Sequence, residues 1–128
     1  MINQSKMIEQ CTREQADLGQ LNSYLTLIQK SDEVIDDLAG VLSIVGNPTR
    51  LKIIYLLKQR KEMCPCDLSD VLLMSVPAIS QHVRKMKDRN LLCNRREGKT
   101  IYYSLNEQES EVTDFVHSLI VQRQDSHK

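Results

Sequence analysis

A chain of 128 residues, 41% of them apolar, is long enough for one packed core. Its few aromatics (one Phe, four Tyr, no Trp) leave that core to Leu, Ile and Val, which favours helices over sheet. Lys plus Arg and Asp plus Glu number 17 each, so overall charge names no partner. No apolar run approaches the ~20 residues of a membrane span, and the first ten residues, MINQSKMIEQ, lack the basic-then-apolar order of a secretion signal. The expectation is a cytoplasmic chain with no membrane partner. There its four cysteines (Cys11, Cys64, Cys66, Cys93) stay reduced and serve metal or redox chemistry rather than structural disulfides.

Residues 1–16 are polar and without period, as in a mobile arm. Leu18, Leu21, Leu25 and Ile28 predict a short amphipathic helix, and Lys30-Ser31-Asp32 is read as its end, with Ser31 as the cap of a second helix. Residues 1–30 are thus an arm plus helix, and 31–128 the working domain. Val34, Ile35, Leu38, Val41, Leu42 and Val45 form the stripe of that second helix, which Gly46 stops. Asn47-Pro48 is a cap and a first-turn proline, opening a broadly apolar helix through Leu51, Ile53, Ile54, Leu56 and Leu57.

Pro65 opens a short helix, Met74-Ser75 is a turn, and a helix from about Val76 to Arg89 turns Ile79, Val83 and Met86 inward. Leu91–Arg96 and Thr100–Leu105 read as strands joined through Gly98 in a hairpin. Val112, Phe115, Val116, Leu119 and Ile120 stripe a terminal helix whose excess apolar surface a dimer would cover.

Charge is unevenly spread. Acids gather at 32–37 and 107–114, whereas Arg84, Lys85, Lys87, Arg89, Arg95, Arg96 and Lys99 meet only Asp88 and Glu97. A local basic patch engages phosphates even on a neutral protein. A short helix, a tight turn, a second helix with a polar outer face and a basic hairpin make a winged helix-turn-helix, mainly α with a small β-hairpin wing. On the second helix Ser75, Ala78, Ser80, Gln81 and His82 suit base edges, and Arg84 and Lys85 suit phosphates. The tip residues Arg95, Arg96 and Lys99 suit the backbone near the minor groove. His82 is equally readable as a helix-packing histidine.

Four stretches together resemble the ArsR/SmtB family of metal-responsive repressors: Asn47-Pro48-Thr49-Arg50-Leu51-Lys52-Ile53, Met63-Cys64-Pro65-Cys66-Asp67-Leu68, Ala78-Ile79-Ser80-Gln81-His82-Val83, and Arg96 through Leu105. The resemblance covers roughly residues 32–120. It implies an elongated, mainly helical homodimer that binds an imperfect palindrome in promoter DNA and releases it when an inducer binds. Cys64-Pro65-Cys66-Asp67 falls where arsenic- and cadmium-type members carry Cys-x-Cys-Asp. Two thiols beside a helix start suit one soft ion, since the helix's positive end favours thiolate, and Asp67 is read as a cap rather than a ligand.

In cadmium- and lead-sensing relatives an arm cysteine crosses the dimer. Carried over, Cys11 of one subunit joins Cys64 and Cys66 of the other. Those relatives bring two arm cysteines and this chain one, so three sulfurs are expected. That set suits arsenite, antimonite, mercury(II) or lead better than tetrahedral zinc, with cadmium also a candidate. Cys93 is read as a packed or edge residue, or as a fourth ligand if the fold brings it near. The family's second metal site would fall near Glu107, Glu109, Ile120 and Arg123, two of which cannot ligate, so that site is expected to be absent. An alternative on the same scaffold is a redox or persulfide sensor pairing Cys11 with Cys64 or Cys66 with Cys93. No Cys-His dyad with an orienting group and no Gly-rich phosphate loop is visible, which argues against an enzyme.

Overall fold

The structure is a computed structural model that describes residues 17–127. The expected arm, with Cys11, lies outside the described residues. Two compact units divide between Asp37 and Leu38.

The first helix, α1, is Leu18–Val45 and passes without interruption through the break expected at Lys30–Asp32. Ser31 does not cap a new helix. Its Oγ donates back to the Leu27 carbonyl (2.9 Å), as Ser23 and Thr26 do to Gly19 and Asn22. A hydroxyl that bonds one turn back is compatible with a continuing helix, and neither Pro nor Gly stands between residues 20 and 39 to stop it. Within the first unit, Leu21, Leu25, Ile28 and Ile35 recur at steps of three, four and seven residues, and all are exposed.

In the second unit α1 ends at Gly46, whose N–H reaches the Leu42 carbonyl. Helix α2 (Pro48–Gln59) starts as its sequence predicts, with Asn47 Oδ1 accepting from the Arg50 N–H at 3.2 Å. Helix α3 (Pro65–Leu72) closes on Leu73, a left-handed residue (φ 57°), and Ser75 then caps α4 (Val76–Asp88) through a 3.2 Å bond from the Ala78 N–H. Strands β1 (Leu92–Glu97) and β2 (Thr100–Leu105) pair antiparallel from Leu92↔Leu105 to Glu97↔Thr100. Gly98, with φ 63°, takes the first central position of the turn, where II′ geometry wants glycine. A 3-10 turn (Glu107–Glu109) leads into α5 (Glu111–Ser126).

The core joins Ile53, Ile54 and Leu57 of α2, Leu68 of α3, Ile79, Val83 and Met86 of α4, Leu92 and Tyr103 of the hairpin and Val116 of α5. It fixes α3 and α4 against one another and the hairpin beside them, which is a winged helix-turn-helix. One element escaped the sequence reading. Met63, just before α3, forms an antiparallel bridge with Tyr103 of β2 (N–H···O 3.0 and 2.9 Å), so the wing's base is hydrogen-bonded to the segment that introduces the cysteines. No described helix is long and apolar enough to cross a membrane.

Candidate functional site

Helix α4 buries Ile79, Val83 and Met86 completely, which turns the opposite face outward. Ser75, Gln81, Arg84 and Lys85 are exposed, and Ala78, Ser80 and His82 are half-buried at the edges of that face. Ser75 Oγ accepts the capping bond and keeps its own proton to donate. Every α4 residue assigned to DNA from the sequence therefore lies on or beside one polar face, with cations toward its C-terminal end.

For His82 the structure supplies the contact expected of a helix-packing histidine. Its Nδ1 accepts from Nε of Arg50 at 3.1 Å, and Arg50 Nη1 donates to the Ile44 carbonyl at 3.1 Å. Burial first, then the charges of Arg50 and Lys85, hold the imidazole below its ordinary pKa. Among the described residues, Nδ1 has this partner and Nε2 has none.

The wing divides its three candidate cations. Arg95 is held internally: Nε and Nη2 meet the two carboxylate oxygens of Glu62 at 2.8 and 2.5 Å, Nη1 meets Glu97 at 3.1 Å, and the guanidinium stacks on Tyr102, 4.6 Å from the ring centre. Its hydrogen bonds to Glu62 and Glu97 raise the Arg95 pKa and lower that of Glu62. Arg95, assigned to phosphate from the sequence, is exposed and already meets Glu62 and Glu97 in the free chain. Arg96 and Lys99 are exposed beside it.

Cys64 is the N-cap of α3. Its Sγ accepts from the Asp67 N–H at 3.4 Å, and Asp67 Oδ2 accepts from the Cys64 N–H at 3.4 Å. This is a capping box with a thiol in the hydroxyl's place, and it gives Asp67 the capping role expected of it. Cys64 is half-buried and Cys66, in the first turn, is exposed, so neither thiol is sealed in dry packing. Cys93 is also exposed, opposite Ser104 in the hairpin. It lines a cleft of about 860 Å³ with Leu57, Lys58, Lys61 and Asp114. Among the described residues no three His, Cys, Asp or Glu side chains gather as a metal-binding group, so Cys93 does not join Cys64 and Cys66 within one chain. Any third sulfur comes from outside the described residues or from another chain.

Helix α5 carries the remaining sequence candidates. Asp114 pairs with Lys58 of α2, which lowers the carboxyl's pKa. His117, read from sequence as a surface or interface residue, stacks on Tyr55 at 5.8 Å between ring centres, and its buried Nε2 meets no hydrogen-bond partner among the described residues. Of the four second-site positions, Glu107 and Glu109 lie on the 3-10 turn, and Ile120 and Arg123 on α5. Arg50 and Glu62 are the site-shaping residues that sequence reasoning missed. Each acts on a partner more than 30 residues away, 32 for Arg50–His82 and 33 for Glu62–Arg95, and neither periodicity nor spacing signals that.

Comparison with known proteins agrees with this arrangement. The profile described as "Bacterial regulatory protein, arsR family" matches residues 47–92, from the cap of α2 to the first residue of β1. A Staphylococcus aureus protein described as a cadmium resistance transcriptional regulatory protein CadC homolog is 36% identical over 72 residues, 56% of this chain and 60% of that one. The arsenical resistance operon repressor of Escherichia coli K12 is 38% identical over 66 residues, 52% of this chain and 56% of that one. The chain thus spans somewhat over half the length of these curated relatives. Among solved structures, the transcriptional repressor PagR of Bacillus anthracis is 30% identical, with 68% of this chain and 97% of that one covered at a TM-score of 0.59.

Proposed function

Since the chain belongs to the arsR family of bacterial regulatory proteins, a family of transcriptional regulators and not of enzymes, we propose that it represses transcription by gripping promoter DNA as a homodimer. It releases that DNA when Cys64 and Cys66 take up a thiophilic ion. One observation carries the reading: Cys64 is the cap of α3, the first helix of the unit whose second helix, α4, presents the polar face. An ion drawing on the Cys64 sulfur competes with the capping bond and shifts the start of α3 against α4. A typical coupling of ~1–3 kcal/mol would weaken DNA binding ~5–150-fold.

Ser75, Ala78, Ser80, Gln81 and His82 meet base edges. Arg84, Lys85, Arg96 and Lys99 meet phosphates of an imperfect palindrome. The exposed Leu and Ile positions of α1, with Phe115 of α5 at 61% exposure, support a dimer that covers them. Cys11 of the partner supplies a third sulfur. Three thiolates favour arsenite, antimonite, mercury or lead, with cadmium the further candidate, and the similarity to cadmium- and arsenical-resistance regulators supports an ion of this class.

The test is fluorescence anisotropy on DNA from upstream of the protein's own gene, with and without arsenite. Wild type should bind and release. The C64S/C66S double variant should bind equally well and stay bound. Release of the double variant by arsenite at the wild-type concentration refutes the site. Release of wild type by oxidant and by no ion transfers the trigger to cysteine oxidation.

A further inference from the structure

Arg50 lies in the first turn of α2, outside the helix-turn-helix, yet it bonds the end of α1 through the Ile44 carbonyl and α4 through His82 Nδ1, each at 3.1 Å. A guanidinium has donors only and keeps its charge at every physiological pH, so the ring nitrogen it meets must be bare. A neutral imidazole carries one N–H, which leaves the proton on Nε2.

We propose that Arg50 is a positioning residue for DNA reading: it locks His82 in the neutral Nε2–H tautomer, so that α4 offers the duplex one fixed hydrogen-bond donor instead of a titrating cation. The inference rests on the reading that α4 faces DNA. Burial supports it, because His82 is half-buried at the edge of the polar face, which disfavours its charged form. The charged groups acting on the ring are Arg50 from α2 and Lys85 from its own helix, and both oppose protonation. A lysine or arginine at position 82 would add phosphate affinity anywhere on DNA. A neutral donor of set direction rewards only an acceptor in the right place, which favours discrimination over grip.

Two measurements test it on the full-length protein. Nitrogen-15 NMR of the imidazoles should show a single Nε2–H tautomer for His82 in the wild type at pH 7.5. Anisotropy on a bound duplex from pH 8 to 5.5 should then be flat for wild type down to the ordinary histidine range near 6.5. R50M should bind about tenfold more weakly at pH 8. Its affinity should recover in part as pH falls, because without the Arg50 charge the ring takes up a proton at a higher pH than in wild type, although burial and Lys85 still oppose it. R50K, which keeps donor and charge, should restore both the flat profile and the single tautomer.

A mixed or Nδ1–H tautomer in the wild type overturns the proposal without any variant. So does R50M with the wild-type tautomer and pH profile, whatever its melting temperature. Wild type that binds no duplex at any pH overturns the reading of α4 and this inference with it.

Discussion

Replacing Cys64 with serine separates its two roles. As a cap, the thiol accepts one backbone N–H at 3.4 Å, a long bond to a weak acceptor. A serine hydroxyl fits the same position with a shorter, stronger bond and keeps the reciprocal bond from Cys64 N–H to Asp67. Losing a good cap costs ~0.5–2 kcal/mol. The thiol cap therefore lies at the low end of that range, and Cys64→Ser should be neutral to about 0.5 kcal/mol stabilising. Cys64→Ala should lose about 0.5–1 kcal/mol. For a chain of this size those changes correspond to roughly 2–4 °C in Tm, readable by circular dichroism. On DNA both variants should bind as wild type does and fail to release with arsenite. A serine variant that melts much lower than the alanine variant refutes the capping argument. A serine variant that releases normally refutes the ligand argument.

Other consequences are as specific. Arg96→Ala and Lys99→Ala should each flatten the log–log salt dependence of DNA binding by about one, while Arg95→Ala leaves that slope unchanged because Glu62 already holds its guanidinium. A change at Arg95 alone would mean the pair opens on DNA. His82 has a lowered folded-state pKa, so as pH falls the unfolded chain takes up the proton first. Stability should drop below about pH 6.5, and His82→Gln should remove that component from a plot of Tm against pH. Leu68→Ala, at a fully buried position between the cysteine turn and the core, should cost about 2–5 kcal/mol in a denaturant titration.

Much of the fold was legible because its signals are local. Asn47-Pro48, Ser75 and Gly98 each announce a cap or turn through their own chemistry, and each does so in the structure. The polar face of α4 followed from the helical spacing of Ile79, Val83 and Met86. The break at Lys30–Asp32 misread polarity as termination. Ser31 has a helical alternative, bonding Leu27, and no residue there forbids continuing. Within the site, the adjacent cysteines were legible as a pair and Asp67 as a cap. The Met63–Tyr103 bridge, the Arg50–His82 bond and the Glu62–Arg95 pair were not, since each joins residues that only the tertiary fold brings together. That is why sequence reading overlooked Arg50 and the Glu62 partner of Arg95.

Arsenic-edge X-ray absorption on the arsenite-loaded protein is the most direct examination of the claim that sulfurs at the start of α3 capture the inducing ion. Three sulfurs around each arsenic in wild type, dropping in C64S, C66S and C11S alike, is the expected spectrum. An oxygen- or nitrogen-only shell in wild type, or a sulfur shell that survives loss of both Cys64 and Cys66, would contradict it.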